Sequence, residues 1–264
     1  MIIDSHQHVM LPSSLQILKM EEAGIEQAVL FPTSIHMEQA ETLEEMEKEL
    51  RSLNHVLSGG GGIKSEIQRM EQSLSELSAA VSQHPDRFYG FGCVPLGLSA
   101  DETALWIETR IIKKKFLGLG EFTPGTEANM LQLRQIFSVI SEYPGIPIWI
   151  HTFSPVTKAG LQILMEFCIQ FPKVPVIFGH MGGIHWMETL SFAKKHKNVY
   201  LDLSAPYTSL SLRAALKELP ERCFYGSDAP LGEPLFLRQM IEYFAAPETA
   251  KQVLGENIKA LLNL

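Results

Sequence analysis

Eight short apolar runs, each separated from the next by a segment with helical spacing, restrict the fold of this chain more than any other feature. The runs cover residues 1–8, 26–31, 88–94, 116–122, 147–151, 174–180, 199–204 and 223–228. Between them, apolar side chains recur three and four apart, as at Leu161, Leu164, Met165 and Cys168, and more loosely at Leu210, Ala214 and Leu216. Strands that are apolar on both faces, alternating with helices, make parallel βαβ units. Eight such units with no G-x-G-x-x-G after the first strand predict an α/β protein of the (β/α)8 TIM-barrel class rather than a doubly wound sheet. The length of 264 residues suits a single barrel domain over 1–264, and 45% hydrophobic content can fill its core. Pro147 and Pro175 fall at strand starts, where a missing N–H is tolerated. Residues 247–264 read as a closing helix.

One connection is oversized. Between the second and third strands lies a helical insertion, 33–87. Met37, Ala40, Leu43, Met46, Leu50, Leu53 and Leu57 fit one amphipathic helix, and Ile63, Ile67, Met70, Leu74, Leu77 and Val81 fit a second. Ser58 and the four glycines Gly59 to Gly62 join them. This joint reads either as a plain linker or as part of a lid over the barrel mouth. It does not read as a phosphate loop, because no strand precedes it and no Lys-Ser/Thr comes after it in the required spacing.

Charge and cysteine usage narrow the function. The formal net charge is −8, and Lys113 to Lys115 form the one short basic run. Nucleic-acid binding is not expected, because phosphate contacts need clustered cations. Cys93, Cys168 and Cys223 are far apart and read as buried thiols of a reducing compartment. No basic-then-apolar leader opens the chain, and no apolar run approaches the ~20 residues of a membrane span. The expectation is a cytoplasmic protein that acts on a small molecule; a homo-oligomer is compatible with the sequence.

The strand ends carry the chemistry. His6 and His8 sit two apart on the first strand and so point to one face. Alone, such a pair fits an exposed surface as well as a metal site. Strand four, however, ends in Glu121, strand five in His151, strand six in His180 and strand eight in Asp228. In a barrel these ends converge on one mouth. Six ligand-type side chains after apolar strands are costly to bury unless paired or metal-bound.

The same residues resemble the amidohydrolase superfamily, through Asp-Ser-His6-Gln-His8, Gly-Leu-Gly-Glu121, Trp-Ile-His151, Phe-Gly-His180-Met-Gly-Gly and Tyr-Gly-Ser-Asp228. The likeness is greatest to amidohydrolase family 2, the branch that includes aminocarboxymuconate-semialdehyde-type decarboxylases. It spans essentially the whole chain and implies a distorted, metal-bearing TIM barrel. It implies His6, His8, His151 and Asp228 as ligands of a primary metal, with His180 and Asp228 as catalytic acid/base groups. Glu121 departs from the decarboxylase pattern and is similar to the glutamate of TatD-type relatives. If it bridges, His6, His8, Glu121 and Asp228 hold one ion, and Glu121, His151 and His180 the other. If it does not, it accepts a ligand N–H. Nitrogen and oxygen donors suit one or two divalent ions, zinc first, without excluding manganese, iron or nickel.

Further residues are candidates for the surroundings of that site. Asp202 is a candidate partner of a ligand, and Asp4 reads as structural, one layer deeper on the face of His6 and His8. His36, Phe122, Phe153, His185, Trp186 and Tyr207 are candidate pocket residues. Lys158 is the nearest cation in the strand-end loops, Arg51 and Lys64 lie in the insertion, and Lys113 to Lys115 sit on the opposite rim. Without an Arg clamp, the expected reaction is hydrolysis of a small amide, ester or lactone by a metal-activated water. The alternative is a metal-dependent decarboxylase on the same scaffold. A TatD-like nuclease and a non-catalytic metal-binding protein rank below both.

Overall fold

A computed structural model describes residues 1–57 and 62–264. Eight parallel strands succeed one another in chain order around a single sheet. They are β1 (Ile3–His8), β2 (Gln27–Phe31), β3 (Phe88–Gly92), β4 (Gly118–Phe122), β5 (Ile148–His151), β6 (Val176–Gly179), β7 (Val199–Asp202) and β8 (Cys223–Phe224). The eighth strand is shorter than its apolar run. Beyond Phe224 the chain leaves β7 and lies along β1 instead. Ser5 N donates to Tyr225 O (2.9 Å), Asp228 N to His6 O (2.7 Å) and His8 N to Ala229 O (2.7 Å), and these bonds close the barrel. The expected (β/α)8 TIM barrel is therefore the fold.

Helices cover the outside: α1 (Ser13–Glu22), α2 (Leu43–Leu57), α3 (Gly62–Gln83), α4 (Ala100–Trp106), α5 (Glu127–Ile140), α6 (Lys158–Gln170), α7 (Trp186–Lys195), α8 (Ser209–Glu218), α9 (Pro234–Phe244), α10 (Pro247–Lys251) and α11 (Asn257–Leu262). The main core lies between these helices and the outward faces of the strands. A second cluster fills the lumen with Ile3, Val29, Phe31, Phe91, Trp149, Ile177 and Phe224, and Ile258 and Leu262 of α11 pack against it. Among the described residues, no helix is long and apolar enough to cross a membrane.

Two expectations about helices change. The first insertion helix begins at Leu43, not Met37, because Met37–Gln39 is a separate 3-10 turn and Ala40 is extended. A capping box sets that start: Thr42 Oγ1 accepts from Glu45 N (3.3 Å), and the Glu45 carboxylate accepts from Thr42 N (2.9 Å). The closing helix is three pieces, with a π-helical turn at Gln252–Glu256 between α10 and α11. The glycine joint, with the lid role weighed for it, lies outside the described residues except for Gly62.

Two strands carry irregularities that aim the site. On β1, Asp4 pairs with Ala28 and Gln7 with Leu30, so three steps of β1 match two of β2. On β4, Leu119 pairs with Ile148 and Phe122 with Ile150, again with one residue extra. Such a bulge flips the sidedness of the residues beyond it. Ile3 lies in the lumen, and strict alternation would send His6 outward; the bulge turns it in, against Phe31 and Trp149. Likewise Leu119 and Phe122 both face the outer core, which leaves Glu121 free to face the lumen. Gly120 makes this turn at φ +135°, where a Cβ would meet Trp149 O at 2.5 Å.

Candidate metal centre

All six strand-end residues meet at the carboxyl-terminal mouth, and they do so in two groups joined by Glu121. Glu121 Oε2 lies 3.4 Å from His6 Nε2 and 3.6 Å from His8 Nε2. Asp228 Oδ1 lies 3.6 Å and 3.2 Å from the same two nitrogens. The other oxygen, Glu121 Oε1, is 3.3 Å from His151 Nδ1 and 3.4 Å from His180 Nε2, and those nitrogens are 3.0 Å apart. Among the described residues, His151 groups with Glu121 and His180, while His6 and His8 group with Asp228.

Hydrogen bonds behind three of the four rings leave the other nitrogen of each to face the carboxylates. His6 Nδ1 donates to Asp202 Oδ2 (2.9 Å), so Nε2 presents its lone pair to Glu121 and Asp228. That Nε2 is buried and has no hydrogen-bond partner. His151 Nε2 donates to Ser154 O (2.9 Å), so Nδ1 presents its lone pair to Glu121. His180 Nδ1 donates to Ser204 Oγ (2.9 Å), whose own hydrogen goes to Asp202 Oδ2. When the rings are neutral, imidazole lone pairs thus face carboxylate oxygens, an acceptor-to-acceptor arrangement that a cation, whether a metal ion or a proton, satisfies. Donors at 2.0–2.1 Å from a tetrahedral ion stand about 3.3–3.4 Å from one another. The separations here, 3.0 to 3.6 Å, fit that spacing. The residues therefore suit a divalent metal.

In the metal-free site a proton on the rings meets the same need that an ion would. Burial would raise the Glu121 carboxyl, yet the surrounding His6, His151 and His180 hold it well below the usual carboxylate range. Asp228 is lowered too, against burial, by His8, His6 and His180. Burial opposes charge on His6, and Glu121 and Asp202 reverse that and raise it well above an ordinary imidazole. The site attracts positive charge. His180 and Asp228 sit at left-handed φ values, 59° and 60°, which cost non-glycine residues energy and are common at functional sites.

Supporting residues divide into expected and unexpected. Asp202 is a partner of the ligand candidates, as expected: it also accepts from His180 N (3.2 Å) and Ser204 N (2.9 Å). Ser204 is not expected, since a serine after a strand carries no metal signal. Asp4 is structural but does not share the face of His6. The bulge lies between the two, and Asp4 accepts from Gln7 Nε2 (2.7 Å), Ser227 N (2.9 Å) and His6 N (3.2 Å). His36 binds Glu38 (3.0 Å) rather than the cluster. Phe153 lies near the His180 ring, and Tyr207 is exposed.

Above the cluster, one cavity is walled by Ile35, Met37, Leu53, Pro155, Pro230 and Leu231 together with the polar Thr33, Thr123 and Ser154, with His8, Glu121, His151, His180 and Asp228 at its floor. A second cavity, of ≈ 430 Å³, shares His8, Glu121 and Thr123 with it and extends under α3. Its wall includes Arg69, which overturns the expected absence of an arginine. Lys158 and Arg51, the cations nearest the mouth by sequence, pair with Glu188 (3.4 Å) and Glu47 (3.1 Å).

Comparison with known proteins bears on the same residues. A family model described as amidohydrolase matches residues 3–264. No curated protein matches the sequence at a significant level. Solved structures share the fold at low identity. The 5-carboxyvanillate decarboxylase LigW from Sphingomonas paucimobilis is 13% identical, with a TM-score of 0.70 over 100% of this chain and 99% of that one. The 4-oxalomesaconate hydratase LigJ from Rhodopseudomonas palustris is 16% identical, with a TM-score of 0.71 over 100% and 96%. A dihydroxybenzoic acid decarboxylase from Polaromonas sp. JS666, with bound manganese and the inhibitor 2-nitroresorcinol, is 14% identical, with a TM-score of 0.65 over 100% and 97%.

Proposed function

Because the chain belongs to the amidohydrolase 2 family, we propose that it is a metal-dependent enzyme acting on a small organic acid, with release of carbon dioxide as its reaction. The observation that carries this reading is the wall above the cluster. Six apolar residues, with Thr33, Thr123 and Ser154 beside them, face a floor of ligand-type side chains, an arrangement suited to a flat, unsaturated acid whose carboxylate meets the floor. Loss of carbon dioxide disperses the carboxylate charge into the rest of the molecule, and apolar walls around that part of the substrate favour the dispersal. The names of the Sphingomonas and Polaromonas proteins support the same chemistry on this scaffold.

His6, His8, Glu121 and Asp228 would hold one divalent ion, and Glu121, His151 and His180 are arranged to hold a second. Such an ion, when bound, supplies Lewis acidity to a carboxylate or carbonyl and lowers the pKa of water toward ~7. Zinc suits the donors, and manganese is supported by the Polaromonas protein. The protein's own groups do the rest. Asp202 and Ser204 keep His6 and His180 in the required tautomers. Asp228 and, where no second ion engages it, His180 line the cavity and are placed to deliver the proton that the substrate carbon left behind by carbon dioxide must take up.

A second reading, hydrolysis of an amide, ester or lactone, is favoured by one observation: Glu121 turns an oxygen to each group of nitrogens, as a carboxylate shared by two ions would. Here Asp228 takes a proton from water and passes it to the leaving group. One assay separates the readings. The metal-loaded protein is given a panel of aromatic and unsaturated acids, amides, esters and lactones, and carbon dioxide is measured beside hydrolysis products. Carbon dioxide from an acid, with loss of turnover in Asp228→Asn, is the expected result. Hydrolysis alone would replace the first reading with the second, and no turnover of the panel would refute both.

A further inference from the structure

We propose that Arg69, on the insertion helix α3, is the anchor for an anionic group of the substrate remote from the reacting carbon. This rests on the His/Glu cluster being the reacting centre. Three observations lead to it. The cavity under α3 is continuous with the centre, since His8, Glu121 and Thr123 line both it and the apolar cavity. Arg69 is the cation in the wall of that cavity among its described lining residues, and it is partly buried. Its guanidinium is also underused. Its hydrogen-bond contact is Ser34 Oγ at 3.5 Å, and among the described residues no carboxylate oxygen comes within 4.0 Å of it, although Glu66, one turn earlier, lines the same space.

Partial burial makes this unusual. A guanidinium withdrawn from water normally finds a carboxylate, and a forked, always-charged donor is the side chain best suited to one. Two other cations, Arg51 on the insertion and Lys158 on the rim, are already paired, with Glu47 and Glu188. Asn129 and Gln132, on α5 at the facing wall, add amide donors for a carboxylate held there. The geometry thus separates two tasks. The cluster takes the reacting carbonyl or carboxylate, and the insertion supplies the contact that selects for a charged end. A substrate with both features spans the two cavities.

Binding, read without turnover, tests this. Calorimetric titrations of the metal-loaded protein compare glutarate with butyrate and isophthalate with benzoate, so that one dicarboxylate is flexible and one rigid. Wild-type protein should bind at least one dicarboxylate about tenfold or more tighter than its matched monocarboxylate, as expected for a charge-assisted bidentate pair. Arg69→Met should abolish that preference while metal content and monocarboxylate binding stay at wild-type values. Arg69→Lys should retain part of it. Equal binding of mono- and dicarboxylates by the wild type, or a preference that survives in Arg69→Met, would overturn the proposal. Loss of metal from Arg69→Met would overturn it as well, because the residue would then be part of the scaffold. Failure of the carbon dioxide assay leaves this result readable, since no reaction is involved.

Discussion

The residues that matter most are those that hold other residues. Asp202 fixes the His6 tautomer and takes the backbone N–H of His180, so Asp202→Asn should weaken metal binding by about 10–100-fold with the fold intact. Metal titration against a competing chelator, beside circular dichroism, checks this. Gly120→Ala adds a Cβ against Trp149 O at a φ that L residues avoid, and should cost about 3 kcal/mol or more in denaturant unfolding. Burial pushes Asp4 up to about 6, against the N–H groups of Gln7, Ser227 and His6 that favour its ionised form. A folded pKa above the unfolded value means that the folded chain holds the proton more tightly. Stability from this group is therefore complete below about pH 4 and lost as pH rises through 6, up to about 3 kcal/mol in all. Denaturation of the metal-free protein at pH 4.5 and 7.5 measures it, with the difference reduced by about that amount in Asp4→Asn. All six candidate ligands were legible in the sequence, because a His, Asp or Glu ending an apolar strand is expensive to bury without cause. Ser204 and Arg69 were not. A serine hydroxyl is unremarkable in any loop, and Arg69 reaches the mouth from a helix far along the chain.

At the level of elements, eight apolar runs in βα alternation were enough to give the barrel and its strand order. What periodicity could not show was the extra residue on β1 and on β4. Each bulge reverses the in/out alternation just where a ligand candidate stands, so the strands carrying His6 and Glu121 depart from the rule used to find them. The insertion has its own device. His36, after β2, meets Glu38 through Nδ1 (3.0 Å), Glu76 of α3 through Nε2 (3.6 Å) and Glu49 of α2 through its backbone N–H (3.3 Å). The hydrogen bond to Glu38, opposed by partial burial, raises the His36 pKa above its usual value. Protonated His36 therefore steadies the insertion below about pH 6.5, and that contribution fades as pH rises through the raised folded value. Hydrogen exchange in α2 should accelerate between pH 5.5 and 8 beyond its intrinsic rate, and His36→Gln should remove the excess. An unchanged excess in the variant would count against His36 as the link.

On the scale of the whole molecule, the barrel closes through the same segment that delivers Asp228. Asp228 N donates to His6 O, and Gly226 passes so near the site that a Cβ there would lie 2.6 Å from both Asp202 Oδ1 and His6 Cβ. Ligand placement and barrel closure are one structure, so a bound ion should stabilise the entire fold. An ion present at 100 times its dissociation constant should add about 2.7 kcal/mol. The family and fold were legible from motifs that span the chain, whereas the substrate was not, because the residues that line the cavities come largely from the insertion and the mouth loops. Both proposed reactions depend on the six strand-end residues forming a divalent metal centre. Elemental mass spectrometry of protein purified without chelators and then re-metallated tests that dependence most directly. At least one tightly held divalent ion per chain, lost in a folded His6→Ala/His8→Ala variant, is the predicted result. A wild-type chain that retains no ion after repletion would contradict it.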